Sequence, residues 1–252
     1  MISPSVDWWV LLVAAPFIGS FLSVLVVRLP RAEDVVVSRS QCRTCGGRLS
    51  PLELLPIVSW LLQKGKCRRC GARLEWLYPA LEISAVVIVL WALSAGLTGW
   101  LLAVTCALGW ALLALGAMDL RDFILADALT LPLIAAGLGV AYLLNSELAV
   151  WHLAGAGAGL ALIVGVGLAY KQLRGREGLG FGDAKLMAAA GAWTGLAGLG
   201  TVLLYGSLLT LALVGFLRMA GRAIDAQTPL PFGAGLAAGF WLTWLYGPLL
   251  LG

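Results

Sequence analysis

Two aspartates and four cysteines carry most of the chemistry this sequence could perform. Asp119 ends an apolar stretch in Gly116-Ala117-Met118-Asp119, and Asp183 ends Gly180-Phe181-Gly182-Asp183, just ahead of Ala184-Lys185-Leu186. Ionisable groups at a membrane boundary are costly and are functional candidates by default. The two lie 64 residues apart and are expected on different helices at the same depth. Gly180 and Gly182 would let backbone or an extended peptide approach closely. Two carboxylates brought together at low dielectric cannot both ionise easily. They share a proton, so that one activates water while the other polarises a carbonyl, the chemistry of an aspartic protease. A proton- or cation-coupled carrier uses intramembrane aspartates too, and that reading stays open. Glu82, Asp122, Asp127 and Glu177 also fall near the ends of apolar runs. Asp122 and Asp127 read as solvated or helix-capping, Asp127 standing just ahead of Ala128-Leu129-Thr130.

The cysteines form Cys42-x2-Cys45 and Cys67-x2-Cys70, with 21 residues between the pairs. This spacing reads as a four-cysteine zinc ribbon. A glycine follows each pair, Gly46 and Gly71, where a knuckle needs positive φ to aim both sulfurs at one ion. Arg43, Arg68 and Arg69 would help keep the thiolates ionised. Disulfides are the competing reading, disfavoured on a reducing face. Cys106 stands alone in an apolar run and reads as a small core residue. His152, the single histidine, lies near the opposite side, which excludes a Ser-His-Asp triad or a histidine metal site beside the aspartates. The glycine-rich run from Gly175 to Gly182 follows no strand, so a phosphate or dinucleotide loop is not expected.

The elements that must hold these residues follow from composition. Of 252 residues, 61% are hydrophobic and 12% charged, and mean hydropathy is +0.95. That excludes a soluble enzyme and a disordered chain, and unbroken apolar runs argue against a β-barrel. The fold class expected is an all-α polytopic membrane protein. Uncharged stretches give the spans: 8–27, a hairpin across 83–118 turning near Gly96, then 128–146 and 148–170. A second hairpin across 186–217 turns near Gly195, Gly198 and Gly200, and a last span covers 234–251. The expected count is eight, with the four-cysteine insertion between the first and second.

Charge supports that parity. Ten of the 17 basic residues lie in 28–79, and the other seven follow the third, fifth and seventh spans. With eight spans and both termini outside, all 17 face the cytoplasm, as the positive-inside rule requires. The first span has no basic segment ahead of it and does not read as a cleaved signal peptide. Trp8, Trp9, Trp100 and Trp151 read as interfacial anchors, and Gly155, Gly157 and Gly159 as helix-packing positions. The expected organisation is a first helix (1–27), a basic cytoplasmic module (28–79) and a membrane domain of about seven helices (80–252). The module's net +6 suits anionic lipid or an anionic partner.

In combination these residues closely resemble the bacterial type IV prepilin peptidases, which are membrane leader peptidase/N-methyltransferases. The resemblance runs through Gly19-Ser20-Phe21-Leu22-Ser23-Val24, Arg28-Leu29-Pro30 and both cysteine pairs. It continues through Pro56-Ile57-Val58-Ser59, Gly65-Lys66-Cys67 and Tyr78-Pro79-Ala80-Leu81-Glu82. The membrane half adds Met118-Asp119, Asp127 to Pro132, Glu177 to Leu186, and Thr228-Pro229-Leu230-Pro231-Phe232-Gly233.

The resemblance implies that Asp119 and Asp183 are the catalytic pair, with Gly180 and Gly182 supporting the second. It implies prepilin or pseudopilin substrates in the bacterial inner membrane, cut after a glycine that ends a short basic leader. It also implies N-methylation of the new terminus from S-adenosylmethionine, with Glu53, Lys66 and Glu82 as candidates for that step, and no nucleic-acid partner. A basic leader is expected to avoid the basic module and approach the acidic 119–127 side. Departures from the family pattern are Ser23 for Asn, Leu54-Leu55 for Asn-Ile, Leu77 for Arg and Ala126 for Pro. None touches the two aspartates.

Overall fold

The computed structural model describes residues 7–35, 40–175, 178–221 and 228–249. Glu177, Arg39, Arg176 and Arg222 lie outside the described residues. The chain is helical, and among the described residues the only β pairing is two isolated bridges in the cysteine region. The helices are α1 (Trp8–Arg28), α2 (Val58–Leu62), α3 (Leu77–Ser94), α4 (Gly99–Asp122), α5 (Asp127–Leu144), α6 (Ala149–Arg174), α7 (Phe181–Met219) and α8 (Phe232–Tyr246). Among the described residues, six of them (α1 and α3 to α7) are long and apolar enough to cross a membrane.

These six do not confirm the eight spans expected, and two places account for the gap. First, α7 (Phe181–Met219, 39 residues) is two helical stretches that meet at a kink, so it counts once among the six although it holds two of the expected segments. It is broken at Gly195, whose φ of 68° and ψ of −179° are non-helical. Gly195 is the first of the three glycines at which the sequence placed a turn. Second, α8 has 15 residues, short of a full span.

Two compact units share the chain. The first, Met1–Ala114, is organised by α1 against α3. The two helices touch backbone to backbone: a Cβ on Gly19 would lie 2.5 Å from Glu82 Cα. Trp110 of α4 donates to the Ala85 carbonyl at 3.0 Å, and Cys106 is fully buried in the same helix.

In the second unit, Leu115–Gly252, α7 packs against α5, α6 and α8. Small residues allow the close approach. A Cβ on Gly191 would lie 2.1 Å from the Gly155 carbonyl oxygen, and one on Gly159 would lie 2.5 Å from that of Met187. Gly155 and Gly159 are one turn apart and share the packed face. Gly157 lies between them, and a Cβ there would meet nothing within 4 Å, so it is not a packing position. Trp193 ties α7 to α5 by donating to the Leu133 carbonyl at 2.8 Å.

Candidate active site

Asp119 lies in the last turn of α4, which ends where Phe123 takes a left-handed φ of 54°. Asp183 lies in the first turn of α7, three residues after Gly180, whose extended backbone starts the helix. Both aspartates are buried, at 6% and 9% exposure. The 231–234 segment brings them together. A Cβ built on Gly233 would stand 3.0 Å from Asp119 Cγ and 3.0 Å from Asp183 Oδ1, so those two atoms are at most 6 Å apart. The same point is 2.9 Å from Leu125 Cδ1, and a Cβ on Gly182 would lie 3.0 Å from Leu125 Cβ. Leu125 therefore packs over two glycine positions at once, and a side chain at either would drive it out.

Backbone N–H groups fix both carboxyls, those of Gly233 and Ala234 for Asp119 and that of Gly180 for Asp183. The N–H of Ala234 donates to Asp119 Oδ2 at 2.8 Å, and that of Gly180 donates to Asp183 Oδ2 at 3.2 Å. Both donors belong to the start of a helix, α8 and α7 respectively. Two helix N-termini, each with unsatisfied N–H groups and a partial positive charge, thus face the acid pair. Lys185, one turn of backbone beyond Gly182, is ion-paired with Asp127 at the first residue of α5 and lies 4.9 Å from the centroid of the Phe181 ring. Asp122 is paired with neighbouring Arg121 at 3.6 Å. Beside the Asp183 turn is an apolar cleft of about 220 Å³, with Ile163, Gly167, Leu179 and Phe181 among its walls.

The sequence pointed to both aspartates and to Gly180 and Gly182. It did not reveal Gly233 or Ala234. These carry no ionisable group, and Ala234 acts through its backbone N–H, so their only signal was the Pro231-Phe232-Gly233 part of a family motif.

In the first unit the two cysteine pairs fold into matching knuckles. In each, the first cysteine's N–H bonds to a carbonyl five residues on: Cys42 to Gly47 at 2.9 Å and Cys67 to Ala72 at 2.8 Å. Gly46 and Gly71 take φ of 66° and 71° and bond back to Cys42 and Cys67. All four Sγ atoms lie within 4.8 Å of one another, and the Cys42–Cys70 pair is 3.9 Å apart. Tetrahedral zinc thiolate requires about 3.8 Å between sulfurs, so the cluster could hold such an ion. The backbone N–H groups of Cys45 and then Thr44 bring the Cys42 thiol down to about 6. Cys70 goes up to about 11: the Ala72 N–H favours its thiolate, but burial and the other sulfurs outweigh that.

Below the knuckles lies a cavity of about 240 Å³, with Ser20, Ser23, Glu53, Trp60, Tyr78 and Glu82 among its walls. Glu53 is held below the ordinary carboxylate range by the Ser50 N–H, which donates to its Oε2 at 2.8 Å and caps the short turn Pro51–Leu54. Glu82 is 6% exposed and accepts the Ile57 N–H at 2.6 Å. Lys66 is exposed and is not part of the cavity wall.

Comparison with known proteins gives two family matches. Residues 13–95 match the bacterial peptidase A24 N-terminal domain, and residues 106–215 match the type IV leader peptidase family. Similar curated proteins carry the name prepilin leader peptidase/N-methyltransferase. The Aeromonas salmonicida protein is 35% identical, covering 91% of this chain and 87% of its own length. The Pseudomonas aeruginosa protein is 32% identical with the same coverage, and the Burkholderia pseudomallei K96243 protein is 37% identical over 89% of this chain and 73% of its own. No solved structure matches the chain.

Proposed function

The chain belongs to the type IV leader peptidase family, and from that premise we propose that it is an inner-membrane aspartic endopeptidase that removes the basic leaders of prepilins or pseudopilins. The observation that carries this reading is the pairing of two buried carboxyls, Asp119 and Asp183, beside Gly233, each held by backbone N–H groups.

In this mechanism the pair holds one proton between its two groups. The ionised carboxyl takes a proton from a water lying between them. The protonated carboxyl donates to the scissile carbonyl as that water attacks. The tetrahedral adduct then breaks its C–N bond, and the departing amine leaves with the proton taken from water. The hydrogen bonds from Ala234 and Gly180 hold the carboxyls in position for both transfers, so little reorganisation is needed during reaction. The apolar cleft beside Phe181 suits the hydrophobic segment that follows a leader.

The four cysteines hold a structural zinc ion in this reading. Their spacing, all-thiolate donor set and sulfur separations support it. A second activity is N-methylation of the freed terminus, supported by the relatives' names and by a cavity in the first unit with Glu53, Glu82, Trp60 and Tyr78 among its walls, which fits one of the cationic reactants of that step. S-adenosylmethionine, when bound, supplies the methyl group from a sulfonium. Glu82, Trp60 and Tyr78 are the residues suited to positive charge there. The distribution of basic residues supports a cytoplasmic aspartate pair and cysteine module, with both termini outside.

Incubating the purified protein with a prepilin and S-adenosylmethionine, then weighing the product, tests the reading. The expected product is a chain cut after the leader glycine and heavier by one methyl group. An uncut prepilin, together with proton flux in proteoliposomes, would return the aspartates to the carrier reading.

A further inference from the structure

The aspartate pair makes no use of Glu82. It lies in the second turn of α3, 6% exposed, and no ion pair to it is found among the described residues. A buried carboxylate without a counter-charge is costly and marks a functional position. Its surroundings are built around it. Oε2 accepts the Ile57 N–H at 2.6 Å, and the Ser20 hydroxyl of α1 is also hydrogen-bonded to the carboxyl.

Ile57 pays for that contact with an unusual backbone: φ is 62° and ψ −53°, and the N–H of Val58 bonds across it to the Pro56 carbonyl at 2.5 Å. This is a γ-turn of the strained hand, centred on a β-branched residue. Such a conformation persists only where its surroundings enforce it, and it clusters at ligand sites.

Glu82 forms one end of the 240 Å³ cavity, whose α1 wall includes Val24 and Val27 and whose aromatic faces are Trp60 and Tyr78. Three arginines also reach the cavity: Arg28 donates to the Asp34 carbonyl at 2.8 Å, Arg43 is paired with Glu33 at 3.0 Å, and Arg73 lines the wall at the second cysteine knuckle. Carboxylate, aromatic faces and an apolar wall together suit an organic cation attached to an apolar body.

We propose that this cavity binds the α-ammonium group at the start of an apolar peptide, and that Glu82 is the group that holds it and takes its proton for methyl transfer. The inference rests on the methylation part of the proposed function. Position favours the peptide over the methyl donor. Glu82 is on a spanning helix, level with Gly19 and Ser20 of another, where the N-terminus of a membrane-embedded helix arrives. In the step, the ammonium gives one proton to the Glu82 carboxylate. The freed nitrogen lone pair forms the N–CH3 bond as the S–CH3 bond of the sulfonium donor breaks, and that bond pair goes to sulfur. Glu82 then passes its proton to solvent.

The test uses the full-length protein in nanodiscs without methyl donor. Two labelled peptides with the sequence of a mature pilin start are titrated, one with a free amine and one N-acetylated. The free amine is expected to bind at least about tenfold more tightly, as a charge-assisted hydrogen bond allows. In Glu82→Gln, which keeps an acceptor for Ile57, that preference falls to about one while leader cleavage and metal content stay at wild-type levels. Glu82→Asp keeps the charge and retains a reduced preference, which covers the case in which Gln does not fold. An unchanged preference in either folded variant overturns the proposal. So does a Glu82→Gln variant that loses only affinity for S-adenosylmethionine, which would assign the carboxylate to the donor. A wild-type protein that prefers the free amine through Glu82 but never methylates overturns the methylation reading and leaves the ammonium site standing.

Discussion

Substituting Gly233 by alanine probes the acid pair without touching either acid. The added Cβ would sit at 2.9–3.0 Å from Leu125 Cδ1, Asp119 Cγ and Asp183 Oδ1. Comfortable carbon contacts are about 3.5–4.0 Å, so each neighbour must retreat by roughly 0.5 Å. Asp119 and Asp183 both touch the intruding methyl, so both must shift and their relative placement changes by up to about 1 Å. A misplacement of that size costs on the order of 10²-fold in rate, or about 2.7 kcal/mol in the barrier. Overpacking costs a further 1–3 kcal/mol, approximately, in stability. The control is Gly116→Ala, whose Cβ would meet Ala234 Cα and Ala237 Cβ at an ordinary 3.8 Å. The assay is leader cleavage by purified protein in liposomes, with kcat separated from KM and thermal unfolding followed in parallel. Gly233→Ala should lose kcat while remaining folded, and Gly116→Ala should cut at close to the wild-type rate. A folded Gly233→Ala protein with undiminished kcat would refute the geometry described.

Three further outcomes follow from other parts of the molecule. Cys42 is ionised above about pH 6 in the metal-free cluster and protonated below it. Its contribution to metal binding therefore holds at neutral pH and is lost on acidification, and the slope of log affinity for zinc against pH should steepen by about one proton below pH 6, measured with a competing chromophoric chelator. Gly191→Ala pushes a methyl onto the Gly155 carbonyl and should cost roughly 1–3 kcal/mol, whereas Gly157→Ala should be neutral or stabilising, as read by unfolding in detergent. Lys185→Met removes an ion pair whose Asp127 partner is 57% exposed, so its stability cost should stay below about 1 kcal/mol, and a larger loss in the same assay would assign Lys185 a further role.

The reactive residues were easier to read from the sequence than the groups that arrange them. Asp119 and Asp183 stand out because charge is scarce near the apolar runs, and the cysteine knuckles because spacing and the following glycines dictate one local geometry. Ala234 contributes a backbone N–H, and Gly233 contributes the absence of a side chain; neither leaves a pattern over short range. Glu82 was visible as a costly carboxylate, but the Ile57 turn against it was not, since a β-branched residue opposes that backbone. Hydrophobic length located the apolar segments well. It also placed a break at Gly195, where two helical stretches meet at a kink, but the length of an uncharged run does not fix the angle between them. Gly157 was misjudged because small-residue content was read without asking which face of α6 each glycine occupies.

The central claim is that Asp119 and Asp183 act as one catalytic unit. Cleavage of a purified prepilin by Asp119→Asn, Asp183→Asn and the double variant, each reconstituted and verified as folded, tests it most directly. Each single variant should lose essentially all leader cleavage, and the double variant should be no worse than either single one, since removing any one member disables the pair. Substantial cleavage by either folded single variant would contradict the account.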